Sequence, residues 1–201
     1  MSEEGQEGRL GVGRVEAFSD GVIAIIITIM VLELHAPEQP GVAHLFRLWP
    51  VFLAYIISFP YIGVYWVNHH RLFGHARVVT NALVWCNLGL LFALSLIPFS
   101  TAYLGEQHFS RDATIVYMIS MIIPAIFYVP LQHVIRQTGS QTASSATYHT
   151  QTTRKGVVAV AIYIIGLALT FVSPWCGIAA AAIVAILWFL PKSPFDGLFG
   201  D

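Results

Sequence analysis

Residues 14–34 read RVEAFSDGVIAIIITIMVLEL, and this stretch decides what kind of fold the chain adopts. From Phe18 to Leu34 the only charges are Asp20 and Glu33, near the two ends, and Thr28 is the only hydroxyl between Gly21 and Leu34. So apolar a run predicts a membrane-buried helix. Its seventeen residues span about 26 Å at the helical rise, where a lipid-facing span needs about 20 residues. Such a helix is better suited to lining something than to facing lipid. Two prolines, Pro37 and Pro40, stop the block.

Five more apolar blocks follow. They run from Trp49 to Val67, from Leu83 to Leu104, from Ala113 to Ile135, from Gly156 to Val172 and from Trp175 to Leu190. Only a Ser173-Pro174 break separates the last two, which predicts a tight helical hairpin. Pro124 and Pro130 lie inside the fourth block, and Pro98 lies near the end of the third. Prolines are tolerated within spans when neighbouring helices satisfy the freed carbonyls. The composition agrees: 56% of the 201 residues are hydrophobic and 10% charged, against roughly a quarter charged in soluble domains. The expectation is an all-α polytopic membrane protein, one six-helix domain over residues 1–201. Residues 1–13 are expected to form a flexible acidic N-terminus. The Ser/Thr/Gln-rich stretch 137–153 is expected to form a flexible cytoplasmic loop. No basic segment precedes the first block, which argues against a cleaved signal peptide.

The basic residues set the orientation. Arg9, Arg14, Arg71, Arg77, Arg136, Arg154, Lys155 and Lys192 all fall on one side, eight of the ten in the chain. Only Arg47 and Arg111 fall on the other. The positive-inside rule then puts both termini in the cytoplasm; the expected location is the plasma membrane. All five tryptophans fall near block ends, where indole rings anchor at the interface. No basic stripe suggests nucleic acid. Cys86 and Cys176 have no metal-ligand spacing and read as small buried residues.

Two features of the first block carry chemistry. Arg14 and Asp20 bracket its entrance. One reading is simple: Arg14 obeys the charge rule, and Ser19 or Asp20 caps the helix. The other is that Asp20, next to hydrocarbon, faces a bundle interior or water path with a partner, Arg14 being the nearest in sequence. Ile25, Ile29 and Leu32 lie at i, i+4 and i+7 and form one stripe, which Thr28 borders. A stripe can be drawn on any wholly apolar helix, and Thr28 can simply bond back to a carbonyl one turn earlier.

The phrase Arg14-x-x-x-Phe18-Ser19-Asp20 at the start of the first helix resembles the signature of the transmembrane-protein-175 (lysosomal/endosomal) potassium channel family. The resemblance continues in Trp66-Val-Asn-His69-His70-Arg71-Leu-Phe at the end of the second block, in Asn87, and in Leu96-Ile-Pro98-Phe. These motifs cover roughly the first half; the second half matches by hydropathy, and the length fits a prokaryotic member with one set of six helices. The resemblance implies a homotetramer with helix one lining a central pore. Ile25 would form the main constriction, Ile29 and Leu32 further apolar rings, and Thr28 a selectivity hydroxyl layer. Arg14, Phe18, Ser19, Asp20, Trp66, His69 and Asn87 would form a structural polar network. It implies a potassium-permeable, modestly selective cation channel with potassium as permeant ion, no cofactor and no metal. An apolar ring closes a pore by dewetting, and the carbonyl-filter sequence of ordinary potassium channels is absent.

The competing class is a small secondary transporter, for which prolines at 60, 98, 124 and 130 would mark broken helices; no paired halves are visible. An enzyme is not expected, since only His69 and His70 cluster. Being adjacent, they point about 100° apart on a helix and cannot share one ligand as an i, i+4 pair would.

Overall fold

A computed structural model describes residues 11–37, 39–139 and 143–189, with backbone only at 143–149 and 189. Its elements are eight helices: α1 (Val12–Leu32), α2 (Val42–Arg47), α3 (Trp49–Phe73), α4 (Asn81–Ser95), α5 (Ile97–Glu106), α6 (Arg111–Thr138), α7 (Ala143–Thr170) and α8 (Pro174–Phe189). No strand occurs among the described residues. The six apolar blocks become α1, α3, the run α4–α5, α6, α7 and α8. The first four and residues 150–170 of α7 are long and apolar enough to cross a membrane; α8, at 16 residues, is shorter. The chain is therefore an all-helical, membrane-spanning protein.

The helices begin earlier than the apolar blocks do. α1 starts at Val12 after Gly11, so Ser19 and Asp20 lie well inside it, and neither is its cap. Its 21 residues extend about 32 Å, enough to span. The stretch 137–153 is helical on both sides. α6 continues to Thr138 and α7 begins at Ala143, since backbone hydrogen bonding persists beyond the hydrocarbon-facing residues. Most of the acidic N-terminus lies outside the described residues. A short helix, α2, occupies the connection after α1.

Local chemistry sets the other boundaries. Thr80 Oγ1 accepts from Leu83 N–H at 3.2 Å and Ser110 Oγ from Ala113 N–H at 3.4 Å, capping α4 and α6. Pro50 and Pro98 sit in the first turns of α3 and α5, where a missing N–H costs no helical bond. Between α4 and α5 the helix breaks at Leu96. After α5 the chain reverses through His108 and Phe109 at φ 50° and 57°, left-handed conformations unusual for a bulky residue. Phe109 is held there by burial of its ring against Trp49 and Trp175, at centroid distances of 5.8 and 5.1 Å.

α4 packs along α6, α3 along α5 and α7 along α8, while α1 packs on α3, α4 and α5. The α7–α8 hairpin is close because Gly166 faces Ala180 and Gly177 faces Thr170; small residues let membrane helices approach where there is no hydrophobic drive between them. A buried hydroxyl seam ties α3, α5 and α6: Thr101 Oγ1 donates to Ser58 Oγ, which bonds Tyr117 Oη, both at 2.9 Å, and Ser100 and Ser120 bond at 2.7 Å.

Candidate functional site: the two faces of helix α1

α1 has one face turned into the bundle and one turned out. Val15, Ser19, Ile23, Ile26 and Met30, spaced by three or four residues, are buried. On the opposite side Phe18, Gly21, Ile25, Thr28 and Leu32 are all exposed, with Ile29 beside them. Ile25 is 59% exposed, Ile29 39% and Leu32 70%. The stripe drawn from spacing is thus a continuous face that no other described residue of the chain covers. Thr28 Oγ1 donates to Ile25 O at 2.8 Å, so the back-bond expected as its plain use is present on that same exposed face.

The inner face carries the polar contacts. Ser19 Oγ donates to Val15 O at 2.8 Å, Asn87 Nδ2 donates to Ser19 Oγ at 2.8 Å, and Asn87 Oδ1 lies 2.8 Å from His69 Nε2. All three side chains are buried. The directions follow from one another. The Ser19 proton is committed to its own helix, so its oxygen accepts from the Asn87 amide. That leaves Asn87 Oδ1 as acceptor, so His69 must carry its proton on Nε2. His69 Nδ1 is then a buried nitrogen with no partner, while the ring stacks on Phe73 at 4.3 Å. The chain of bonds ties α3, α4 and α1 together.

A second pair of contacts lies beside it. Trp66 Nε1 donates to Asp20 Oδ1 at 3.0 Å, and His70 Nδ1 lies 2.9 Å from Glu16 Oε1. Glu16 and Asp20 are one turn apart on α1, as Trp66 and His70 are on α3, so the antiparallel helices join by two rungs. The adjacent histidines therefore serve different partners, as their 100° separation requires. The structure brings together Ser19, His69 and Asn87, and separately Asp20 and Trp66. It does not bring Arg14 to Asp20: no ion pair joins them among the described residues. Six residues turn a helix by 600°, which leaves the two side chains about 120° apart. Arg14 and Phe18 are both exposed. Sequence reasoning missed the Glu16–His70 rung, whose signal was the matched four-residue spacing on the two helices.

Residues 14–98 match the family model described as the endosomal/lysosomal potassium channel TMEM175. A protein named as a potassium channel in Chryseobacterium sp. (strain P1-3) is 44% identical over 185 residues, 92% of this chain and 95% of the relative. The solved structure described as a lysosomal potassium-selective channel TMEM175 homolog from Chamaesiphon minutus superposes with a TM-score of 0.78 at 34% identity, covering 88% of this chain and 95% of that one. The endosomal/lysosomal proton channel TMEM175 of Homo sapiens is 34% identical over 146 residues, 60% of this chain and 28% of the human protein. With near-complete coverage of the bacterial relatives and the same helical fold, the chain belongs to the TMEM175 potassium channel family.

Proposed function

We propose that the chain conducts potassium through a pore lined by the exposed face of α1 in a homotetramer. One observation carries this reading. α1 is fixed to α3 and α4 by its buried polar face through Ser19 and Asn87, while the opposite face bearing Ile25, Thr28, Ile29 and Leu32 is left uncovered by the other helices among the described residues. Copies of that face around an axis make apolar rings at Ile25, Ile29 and Leu32 and one hydroxyl layer at Thr28. Ile25 is the main constriction, and apolar rings of this kind gate by dewetting. One hydroxyl per subunit offers few ion ligands, so discrimination of potassium from sodium is modest. The polar network of Ser19, Asp20, Trp66, His69 and Asn87 holds α1 at its angle to the axis; Arg14 and Phe18 flank the entrance. The basic residues on one side put both termini in the cytoplasm, and the membrane of this reading is the plasma membrane.

The test is a planar-bilayer recording of the purified protein with potassium on one side and sodium on the other. Unitary steps that reverse toward the potassium potential, altered by Ile25→Ala, support the reading. Solute-coupled flux without unitary steps, or conductance unaffected by substitution at Ile25, Thr28, Ile29 and Leu32, would overturn it.

A further inference from the structure

Away from α1, the helices α3, α6, α7 and α8 enclose a cavity of about 310 Å³, twice the size of an apolar cavity that admits benzene. Its shape and polarity are specific. Along α7 its wall runs from Thr152 to Tyr163, and along α6 from Met121 to Gln132, in each case eleven residues apart or about 16 Å. That volume over that length is a slot one alkyl chain wide, lying parallel to the helices. The shaft combines small residues, among them Ala125, Gly156, Ala159 and Ala185, with the rings of Tyr61, Tyr65, Tyr128 and Tyr163. Asn68, Gln132 and Thr152 all stand at one end, where α3 and α6 finish and α7 is entered. Val129 and Val157 line the slot and are also exposed on the outer surface, so a chain reaches it from the bilayer between α6 and α7.

The polar end is also the basic end. Arg71 follows Asn68 by three residues, Arg136 follows Gln132 by one turn, and Arg154 and Lys155 follow Thr152 and Thr153 directly. No Asp or Glu occurs between Asp112 and Asp196, nor between Glu38 and Glu106. Four cations with no acid on the walling segments match an anionic headgroup, and basic pockets between membrane helices bind such headgroups. We propose that the slot is a lipid site holding one acyl chain of an anionic phospholipid, with its phosphate at the basic mouth. This assignment stands apart from the pore.

The experiment is native mass spectrometry of the full-length protein offered phosphatidylglycerol, phosphatidylcholine and oleate at equal concentration. The wild type is expected to retain phosphatidylglycerol in preference to both. Ala185→Phe, which fills the shaft, is expected to lower that occupancy about tenfold, whereas Ile126→Phe, an exposed position on α6 outside the lining, leaves it unchanged. Arg154→Gln with Lys155→Gln should abolish the preference over phosphatidylcholine. If Ala185→Phe yields no folded protein, the double variant decides by preference alone. Equal retention by wild type and Ala185→Phe, equal loss in Ile126→Phe, no retained phospholipid, or preference for oleate overturns the proposal.

Discussion

Asn87 and Ser19, separated by 68 residues of sequence, are joined by a 2.8 Å hydrogen bond inside the bundle, with His69 on the other side of the same amide. Truncating that amide leaves a buried His69 N–H without an acceptor. Interhelical bonds in membranes average about 0.6 kcal/mol, but orphaning a buried group costs about 1–3 kcal/mol, and here the second effect dominates. Asn87→Ala should therefore lower the thermal midpoint in detergent by an amount equivalent to about 1–3 kcal/mol. An unchanged midpoint would mean that the triad does not brace α1.

Asp20 contributes to the rung with Trp66 through an acceptor oxygen, which an amide also supplies. For the homotetramer proposed above, Asp20→Asn is expected to keep near-normal yield of the assembled protein, and Asp20→Ala to reduce it. Since both partners are partly exposed, the loss is modest, about 0.5–1.5 kcal/mol. Size-exclusion yields compared side by side check this, and equal yields for the two variants would assign Asp20 no bonding role.

On the pore proposed for α1, Ile25→Ala widens the constriction and should raise unitary conductance. Thr28→Val preserves shape and removes the hydroxyl, so it should shift the bi-ionic reversal potential toward zero with conductance little changed. Single-channel recording separates the two effects. A Thr28→Val channel with wild-type reversal would remove Thr28 from selectivity.

Glycine positions differ sharply in what they tolerate. A Cβ at Gly105 would lie 2.6 Å from the Val51 Cα, a backbone atom that cannot swing aside. A Cβ at Gly63 meets nothing within 4 Å. Gly105→Ala should destabilise by about 1–3 kcal/mol, as overpacking does. Gly63→Ala, in mid-helix, should be neutral or stabilising by up to about 1 kcal/mol. Thermal melts of the two variants test the contrast.

The all-helical class and the apolar blocks were legible because hydrocarbon imposes long uncharged runs. Helix starts were not. Gly13, Arg14 and Glu16 look like a flanking segment, yet they form the first turns of α1, and the Ser/Thr-rich start of α7 is helical too. In the site, the structure joins Ser19, Asn87 and His69, and Asp20 with Trp66, but leaves Arg14, the partner nearest Asp20 in sequence, on another face of the helix. Nearness in sequence was read as nearness in space, and a helix turns Arg14 away while bringing Trp66 up from α3. The cavity had no legible signal at all. It is a gap left where Ala125, Gly156, Ala159 and Ala185 meet, which four helices bring together only when folded.

Thr28 directs its hydrogen to the Ile25 carbonyl of its own helix. What remains available on that side chain is an oxygen with lone pairs and no proton to offer. Repeated about an axis, such oxygens make a collar that is electron-rich without bearing a formal charge. Anions would find no donor there, whereas a partly dehydrated cation would find acceptors. In the pore proposed for α1, charge-sign discrimination then requires no acidic ring and would be indifferent to pH.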